Sequence, residues 1–498
     1  MKRFFTVNSL LTLLFSTLAL AVMGYHPGAE DDGIYLSAVK YRLNPALYPH
    51  DSGFFRFQMQ ATLFDNVVAG FARWSSAPVA VAEFLFQFAT IMLIVFSCWS
   101  IARKLFSEAR AQWAGVALVV AMFTLPVAGT ALFLVDQHLH PRAMATAFVL
   151  LAVSRILAGR RWQALPLLMF AFTMHPIMGV LGISFCAFLA LTTWEPLYAR
   201  LLEWRGTDHR AKASVAVAFV PLGWVFSPPT ASWLEAAKTR SYLFLYHWEW
   251  YEWLGALAPL VLFWLLWRFA DKRGERLLAR FALAVLLYGV FQMAVAMILL
   301  GIPSLIRLAP LQPMRFLHLI YFFLLLMGGC LFGKYLLKAS LWRWALFLVA
   351  INSGMFISQR MEFSNSDHLE LPGRTSANPW LQAFAWVRQN TPTDAYFALD
   401  PNYMAAPAED YHSFRALAER SQLADNIKDT AVVSQVPELG DVWAQQVTAQ
   451  KGWTHFQLAD FERLKTEFAV DWVLASYPAP AGLDCRWHNV ALTVCKIP

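Results

Sequence analysis

The sequence predicts a polytopic α-helical membrane protein of about eleven transmembrane helices, with a C-terminal α/β domain outside the membrane. Three observations carry that class: an apolar excess, apolar stretches recurring from residue 5 to residue 358, and basic residues gathered in loops on one side. Of the 498 residues 58% are hydrophobic and only 15% charged, with a mean hydropathy of +0.45. That leaves too little polar surface to solvate a chain of this size in water, so lipid must cover much of it.

The candidate spans are 5–23, 78–101, 113–135, 143–158, 162–175, 177–194, 213–229, 254–270, 279–300, 316–333 and 341–358. Most can cross roughly 30 Å of hydrocarbon. The stretch 162–175 is short and reads as a tilted or re-entrant piece around His175-Pro176. The start MKRFF and the apolar run to Met23 read as an uncleaved first helix rather than a cleaved signal peptide. Twenty Lys and Arg, among them Lys2, Arg3, Arg103, Arg160, Lys212 and Arg273, fall on the side of the N-terminus, against nine on the other side before residue 359. Basic loops stay in the cytoplasm, so the N-terminus lies inside and an odd number of spans puts the tail outside.

The same placement accounts for the net charge of +7, so nucleic acid is not expected as a partner; the lipid bilayer is. No Gly-rich phosphate loop, CxxC pair or HExxH helix occurs, which removes sequence support for an ATP-driven pump or a zinc peptidase. The chain divides into 1–358, with outer loops 24–77 and 136–142, and an exported domain 359–498. In that tail PWLQAFAWVRQN reads as a helix opened by Pro379, and FERLKTEF as another. TPTDAYFALDP, AVDWVLASY and CRWHNVALTVCKIP read as strands. Cys98, Cys186 and Cys330 sit in apolar spans as packing residues, whereas Cys485 and Cys495 flank a turn at His488 and Asn489. A disulfide there places that end in an oxidising compartment.

Chemistry is expected in the outer loops. Glu30, Asp31 and Asp32 emerge directly after the first helix; adjacent carboxylates repel one another, and they either bind a cation or take protons, or form a solvated acidic loop. The second loop, DQHLHPR, carries Asp136, His138, His140 and Arg142, with His175 at the next outward turn. These groups can ligate a metal or relay a proton, or simply terminate helices. In GIPSLIRLAPLQPMRFLHL, Arg307 and Arg315 either snorkel to lipid headgroups or hold a specific phosphate, with His318 one turn after Arg315. The aromatic segment SYLFLYHWEWYEWLG reads as an interfacial belt.

Together these features resemble the GT-C superfamily of integral-membrane glycosyltransferases, which use polyprenyl-linked sugar donors. The resemblance rests on the many spans, the acidic residues Glu30-Asp31-Asp32 followed by Tyr35, and the exported tail. WLQAFAWVRQNTPTDAYFALDP is similar to the opening of exported domains in bacterial members and oligosaccharyltransferase-like proteins. EDDGIYLSAVK, HPRAMATAF and FRALAERSQLADNIKD look most like an uncharacterised bacterial branch, which implies the bacterial inner membrane as location. The resemblance implies Asp31 as catalytic base or metal ligand, with Glu30 or Asp32 beside it, and an acidic residue of the second loop, here Asp136. It implies a polyprenyl-phosphate-linked sugar donor, whose phosphate Arg315, His318 and Arg307 are placed to bind. A divalent cation, Mg or Mn, would then sit at Asp31, Asp136 and His138, although this second loop is rich in His where the family has a second acidic pair. Two other classes compete: a transporter or flippase for a lipid-linked substrate, and a non-catalytic scaffold with the same fold.

Overall fold

The computed structural model describes residues 7–196, 229–406 and 409–498. The proposed span 213–229, the basic residues Lys2 and Arg3, and the loop from Arg200 to Lys212 lie outside the described residues, apart from residue 229 itself. The chain is mostly helical, and six described helical stretches are long and apolar enough to cross a membrane. They are Val79–Leu105 (α5), Pro176–Thr193 (α9), Trp250–Lys272 (α11), Arg276–Gly301 (α12), Pro313–Leu337, which contains α13 (Leu317–Phe332), and Leu341–Glu362 (α14). Val7–Met23 (α1) and Ala109–Ala121 (α6) are shorter apolar helices. Pro141–Leu157 (α7) and Ala164–Met174 (α8) complete the bundle among the described residues.

α13 lies at the centre, and its Leu317–Phe323 stretch is almost wholly buried. α14 turns a face of Leu346, Val349 and Ile357 outward, as a lipid-facing helix does. Glycine permits the closest crossing: a Cβ on Gly115 of α6 would lie 2.5 Å from Cys330 Sγ, and one on Gly329 of α13 2.7 Å from the Ala114 carbonyl. Small residues at such a crossing let two backbones touch where lipid offers no hydrophobic drive.

Two stretches depart from the expected spans. The predicted helix 113–135 stops at Ala121, and residues beyond it form a small hairpin of Pro126–Val127 (β1) and Leu132–Phe133 (β2). Pro126 lacks an amide donor, and Gly129 takes φ +63° under Trp248, where a Cβ would come within 2.4 Å of the indole; neither suits a helix interior. The short stretch 162–175 is α8, at 11 residues only about 16 Å long. It breaks at His175, and α9 starts at Pro176.

The long loop between α1 and α5, expected on the outer side, folds into three helices, Asp32–Leu43 (α2), Gly53–Ala61 (α3) and Phe64–Ser75 (α4). Beyond the bundle, Ala231–Lys238 (α10) precedes α11, and Pro379–Asn390 (α15) opens the tail under an Asn378 cap. The tail then holds Tyr396–Ala398 (β3), Phe414–Ala418 (α16), Ser421–Gln422 (β4), Asp429–Gln435 (α17), Gly440–Ala449 (α18), Leu458–Phe468 (α19), Trp472–Ser476 (β5), Asp484–His488 (β6) and Leu492–Lys496 (β7). Its strands form one sheet in the order β4-β3-β5-β7-β6, parallel from β4 to β5 and antiparallel from β5 to β6. Cys485 and Cys495 face each other across β6 and β7 and form a disulfide.

The outer loop and the tail are not independent. Ile34, Tyr48, Phe54 and Phe55 share one apolar core with Ala236, Val432, Val433 and Trp443. The division expected at residue 358 falls inside α14.

Candidate active site

A cavity of about 1370 Å³ opens where the loop between α1 and α5, the β1–β2 hairpin, the starts of α7 and α9, and the α16–α17 region of the tail meet. Its wall includes Glu30, Asp31, Tyr35, Asp136, His138, His140, Arg142, His175, Arg307, Arg315 and Lys428. Almost every outer-loop residue singled out in the sequence therefore lines one space. Two do not. Asp32 and His318 are absent from that wall.

Asp31 stands immediately before α2 with a third of its side chain exposed (34%). Its Oδ1 accepts from Lys428 Nζ at 3.1 Å, and its Oδ2 faces His140 Nε2 at 3.4 Å. Glu30, in the left-handed region at φ +52°, also accepts from Lys428. Burial pushes the Asp31 carboxyl up, but Lys428, His140 and Arg142 together outweigh it and hold it well below the usual carboxylate range. Lys428 is buried too, and Asp31 and Glu30 more than compensate, so its ammonium is held more firmly than usual. Asp31 is thus anionic, with a fixed cation against it.

Asp32 is the first residue of α2, and the helical rotation turns it away from its neighbours. It is 1% exposed, accepts the Gly28 N–H at 2.7 Å and lies within electrostatic reach of the Glu83 carboxyl of α5. Burial raises its proton affinity. Its place is beneath the loop, so it does not act in the cavity beside Asp31. His318 lies inside the bundle and pairs with the Leu134 carbonyl at 2.9 Å. The irregular chain after β2 leaves that carbonyl without a ladder partner, which explains why His318 does not turn with Arg315 to the cavity.

The second loop supplies the opposite wall. Arg142 donates to Asp136 Oδ1 at 2.6 Å. Burial raises the Asp136 carboxyl, and Arg142, His140 and His138 overcome it, so Asp136 stays ionised below its ordinary range. His140 Nδ1 accepts the Arg142 amide at 2.9 Å and caps α7, and His175 Nδ1 accepts the Met178 amide at 3.3 Å and caps α9. With Nδ1 accepting, the ring proton of a neutral imidazole sits on Nε2, which for His140 points at Asp31. Burial and the Arg142 charge push His140 down to about 4, so it faces Asp31 at 3.4 Å as a neutral imidazole near neutral pH. These histidines both cap helices and line the cavity.

His138 differs. It is 2% exposed, and neither ring nitrogen has a partner; Asp136 Oδ2 is also unpartnered. Each of these two residues thus has an open ligand atom for a cation, whereas Asp31, the third expected ligand, is engaged by Lys428, with His140 Nε2 at 3.4 Å. Among the described residues, the one set of three His, Cys, Asp or Glu whose ligand atoms converge for a metal is elsewhere, at His26, Glu370 and His412.

Arg315 sits in the turn Pro313–Phe316 that leads into α13. It is half-buried on the cavity wall, and its Nε lacks a partner. Asp31, Tyr35 and Arg142 are within its electrostatic reach. No carboxylate lies within ion-pair distance of Arg315 among the described residues. Lys428 and the set His26, Glu370 and His412 carried no role in the sequence reading. Lys428 lies in the family-like segment FRALAERSQLADNIKD, the one available signal, but it pairs with residues nearly 400 positions away, with a separation of 398 to Glu30.

No protein-family model matches the chain, and no curated protein matches it in sequence. In structure it is similar to the crystal structure of the Archaeoglobus fulgidus oligosaccharyltransferase in complex with Zn and sulfate. That likeness has 10% identity and a TM-score of 0.45 and covers 94% of this chain and 68% of the other.

Proposed function

We propose that the chain is a membrane glycosyltransferase that moves a sugar from a polyprenyl-phosphate carrier to an envelope acceptor on the outer face of a bacterial inner membrane. The observation that carries the reading is the single cavity that joins the Asp31 carboxylate to Arg315 at the membrane end of the bundle. In this reading the bundle has about eleven spans with the N-terminus inside, and residues 359–498 form an exported α/β domain over the cavity. Sugar nucleotides are made in the cytoplasm, so an outward site needs a donor already carried across on lipid.

The acceptor oxygen attacks the anomeric carbon as the bond from that carbon to the phosphate oxygen breaks. The phosphate leaves with the electron pair, and the acceptor proton passes to Asp31. Arg315 faces the charge that builds on the phosphate. The low proton affinity of Asp31 in its pair with Lys428 opposes that transfer. Phosphate binding that draws Lys428 away removes the opposition, so the base strengthens once the donor is seated. Asp136 and His138 would hold a divalent cation, Mg or Mn, which would supply further charge against the phosphate.

Replacing Lys428 by Met is expected to raise Asp31, because burial then acts without its main counterweight. Activity needs Asp31 ionised, so its acid limb moves upward in pH. The ratio of activity at about pH 5.5 to that at about pH 8 should fall in the variant and not in wild type. Parallel profiles would show that Lys428 does not set the charge of Asp31.

The reading as a whole is tested by comparing envelope glycolipids and glycoproteins from cells carrying wild type or Asp31→Asn at equal protein level. Loss of one glycan modification is expected. An unchanged profile sinks the enzyme and leaves a transporter or scaffold.

A further inference from the structure

We infer that His26, Glu370 and His412 form a second, structural metal site of zinc-like chemistry that fastens the tail to the loop bearing Asp31. The three residues come from three distant segments: the turn after α1, the linker after α14, and the tail before α16. One ligand atom from each lies within 4.8 Å of the other two. His26 Nδ1 is 2.9 Å from Glu370 Oε1, and His412 Nε2 is 3.1 Å from both carboxylate oxygens. Both imidazoles are fully buried, and only a tenth of the Glu370 side chain is exposed.

The hydrogen bonds around the cluster specify ligand geometry. His412 Nδ1 lies 3.1 Å from the Glu409 carbonyl, which can only accept, so Nδ1 carries the proton. The space between Nε2 and the carboxylate of Glu370 is therefore one where a cation is held, either a proton or a metal ion. A histidine tied at one nitrogen to a carbonyl and open at the other is how metal-binding imidazoles are oriented. The His26 ring is fixed by stacking on Phe363 at 3.8 Å, with its Nδ1 aimed at the same carboxylate.

The backbone holds the three segments in register before any ion arrives. Tyr25 N–H donates to the His368 carbonyl, and Glu370 N–H to the Tyr25 carbonyl. Ser413 N–H donates to the Gly28 carbonyl, and Glu30 N–H to the Tyr411 carbonyl. Two imidazoles and one carboxylate suit zinc and similar divalent transition metals better than Mg or Ca, which prefer oxygen alone. The residues are separate from Asp136 and His138, and none of the three lines the cavity. The site acts on chemistry through position, by fixing the turn from His26 to Asp31.

The test uses full-length protein in detergent, purified through a tag without histidine and reconstituted with zinc alone, then dialysed against a weak chelator. Elemental analysis should give about one zinc per chain in wild type and in His138→Gln, and at least a tenfold loss in His412→Gln and in Glu370→Gln. Cobalt in place of zinc should show a visible spectrum without thiolate charge transfer, which reports nitrogen and oxygen ligands even if the variants fail to fold. Wild type without retained zinc, zinc kept by His412→Gln and Glu370→Gln, or zinc lost from His138→Gln would each overturn the site. The first of these leaves a proton shared between His412 and Glu370 as the occupant. Zinc retention is read without activity, so its failure is distinct from failure of the glycosyltransferase reading.

Discussion

Replacing Arg315 by Leu is expected to lower sugar transfer by roughly two to three orders of magnitude, the cost of removing one preorganised charge from a developing anion. The reason is the state of the neighbouring cations. Arg142 is committed to Asp136 at 2.6 Å, and Lys428 to Glu30 and Asp31. Arg315, on the same wall, has no carboxylate against it among the described residues, so its charge is available to a ligand. Its turn begins at Pro313 and is anchored by Met314 and Phe316, both buried, which fixes the backbone that carries the guanidinium. Arg315→Lys keeps the charge and loses the planar fork that grips two phosphate oxygens, so it should fall between wild type and Leu. The measurement is the rate of glycan formation in membrane vesicles that retain their own donor, at matched protein level. Equal rates in all three would remove Arg315 from the chemistry and with it the proposed phosphate position.

How much of this was legible in the sequence follows from the range of each interaction. Asp31, Asp136, His138, His140, Arg142, His175, Arg307 and Arg315 all border apolar stretches, and a charge beside a membrane face is visible in one dimension. Their convergence follows because the turns at one end of a helical bundle necessarily lie together. Asp32 was misread because helix start is a matter of one residue: α2 begins there, and the rotation from Asp31 to Asp32 takes the second carboxylate from the cavity to the Gly28 amide. The stretch 113–135 is apolar throughout, so hydropathy could not separate α6 from the hairpin; the signals were Pro126 and Gly129. Lys428, Glu370 and His412 were beyond reach for a different reason. Lys428 acts through Glu30, 398 residues away, Glu370 through His26, 344 away, and His412 through Glu370, 42 away across a different element, and no local pattern encodes such meetings.

Arg415→Met is expected to destabilise the union of outer loop and tail by about 3–5 kcal/mol, the cost of breaking a buried ion pair from one side. Arg415 is 1% exposed and lies under Phe54, with its guanidinium 5.6 Å from the ring. Its Nε donates to Asp51 of the outer loop at 2.6 Å, and its two terminal nitrogens donate to the two oxygens of Asp429 at 3.1 and 3.2 Å. Its carbonyl accepts from Tyr48 at 3.0 Å, also from the loop. One guanidinium therefore bridges a carboxylate from each side of the contact; burial pushes Asp429 up to about 7 even beside Arg415, and methionine leaves both carboxyls buried without their cation. The consequence reaches the cavity through the chain itself: Lys428 precedes Asp429, so the clamp that holds Asp429 also sets the residue that holds Asp31. Thermal unfolding followed by tryptophan fluorescence should show the loss, and limited proteolysis should release the tail earlier than in wild type. Adding Asp51→Asn and Asp429→Asn to Arg415→Met removes the stranded charges and should recover part of the stability, while transfer stays low because Lys428 is still misplaced. A single Arg415→Met variant as stable as wild type would mean that the apolar core of Ile34, Phe54, Phe55, Val433 and Trp443 alone joins the two parts, and that the charge network only sets their alignment.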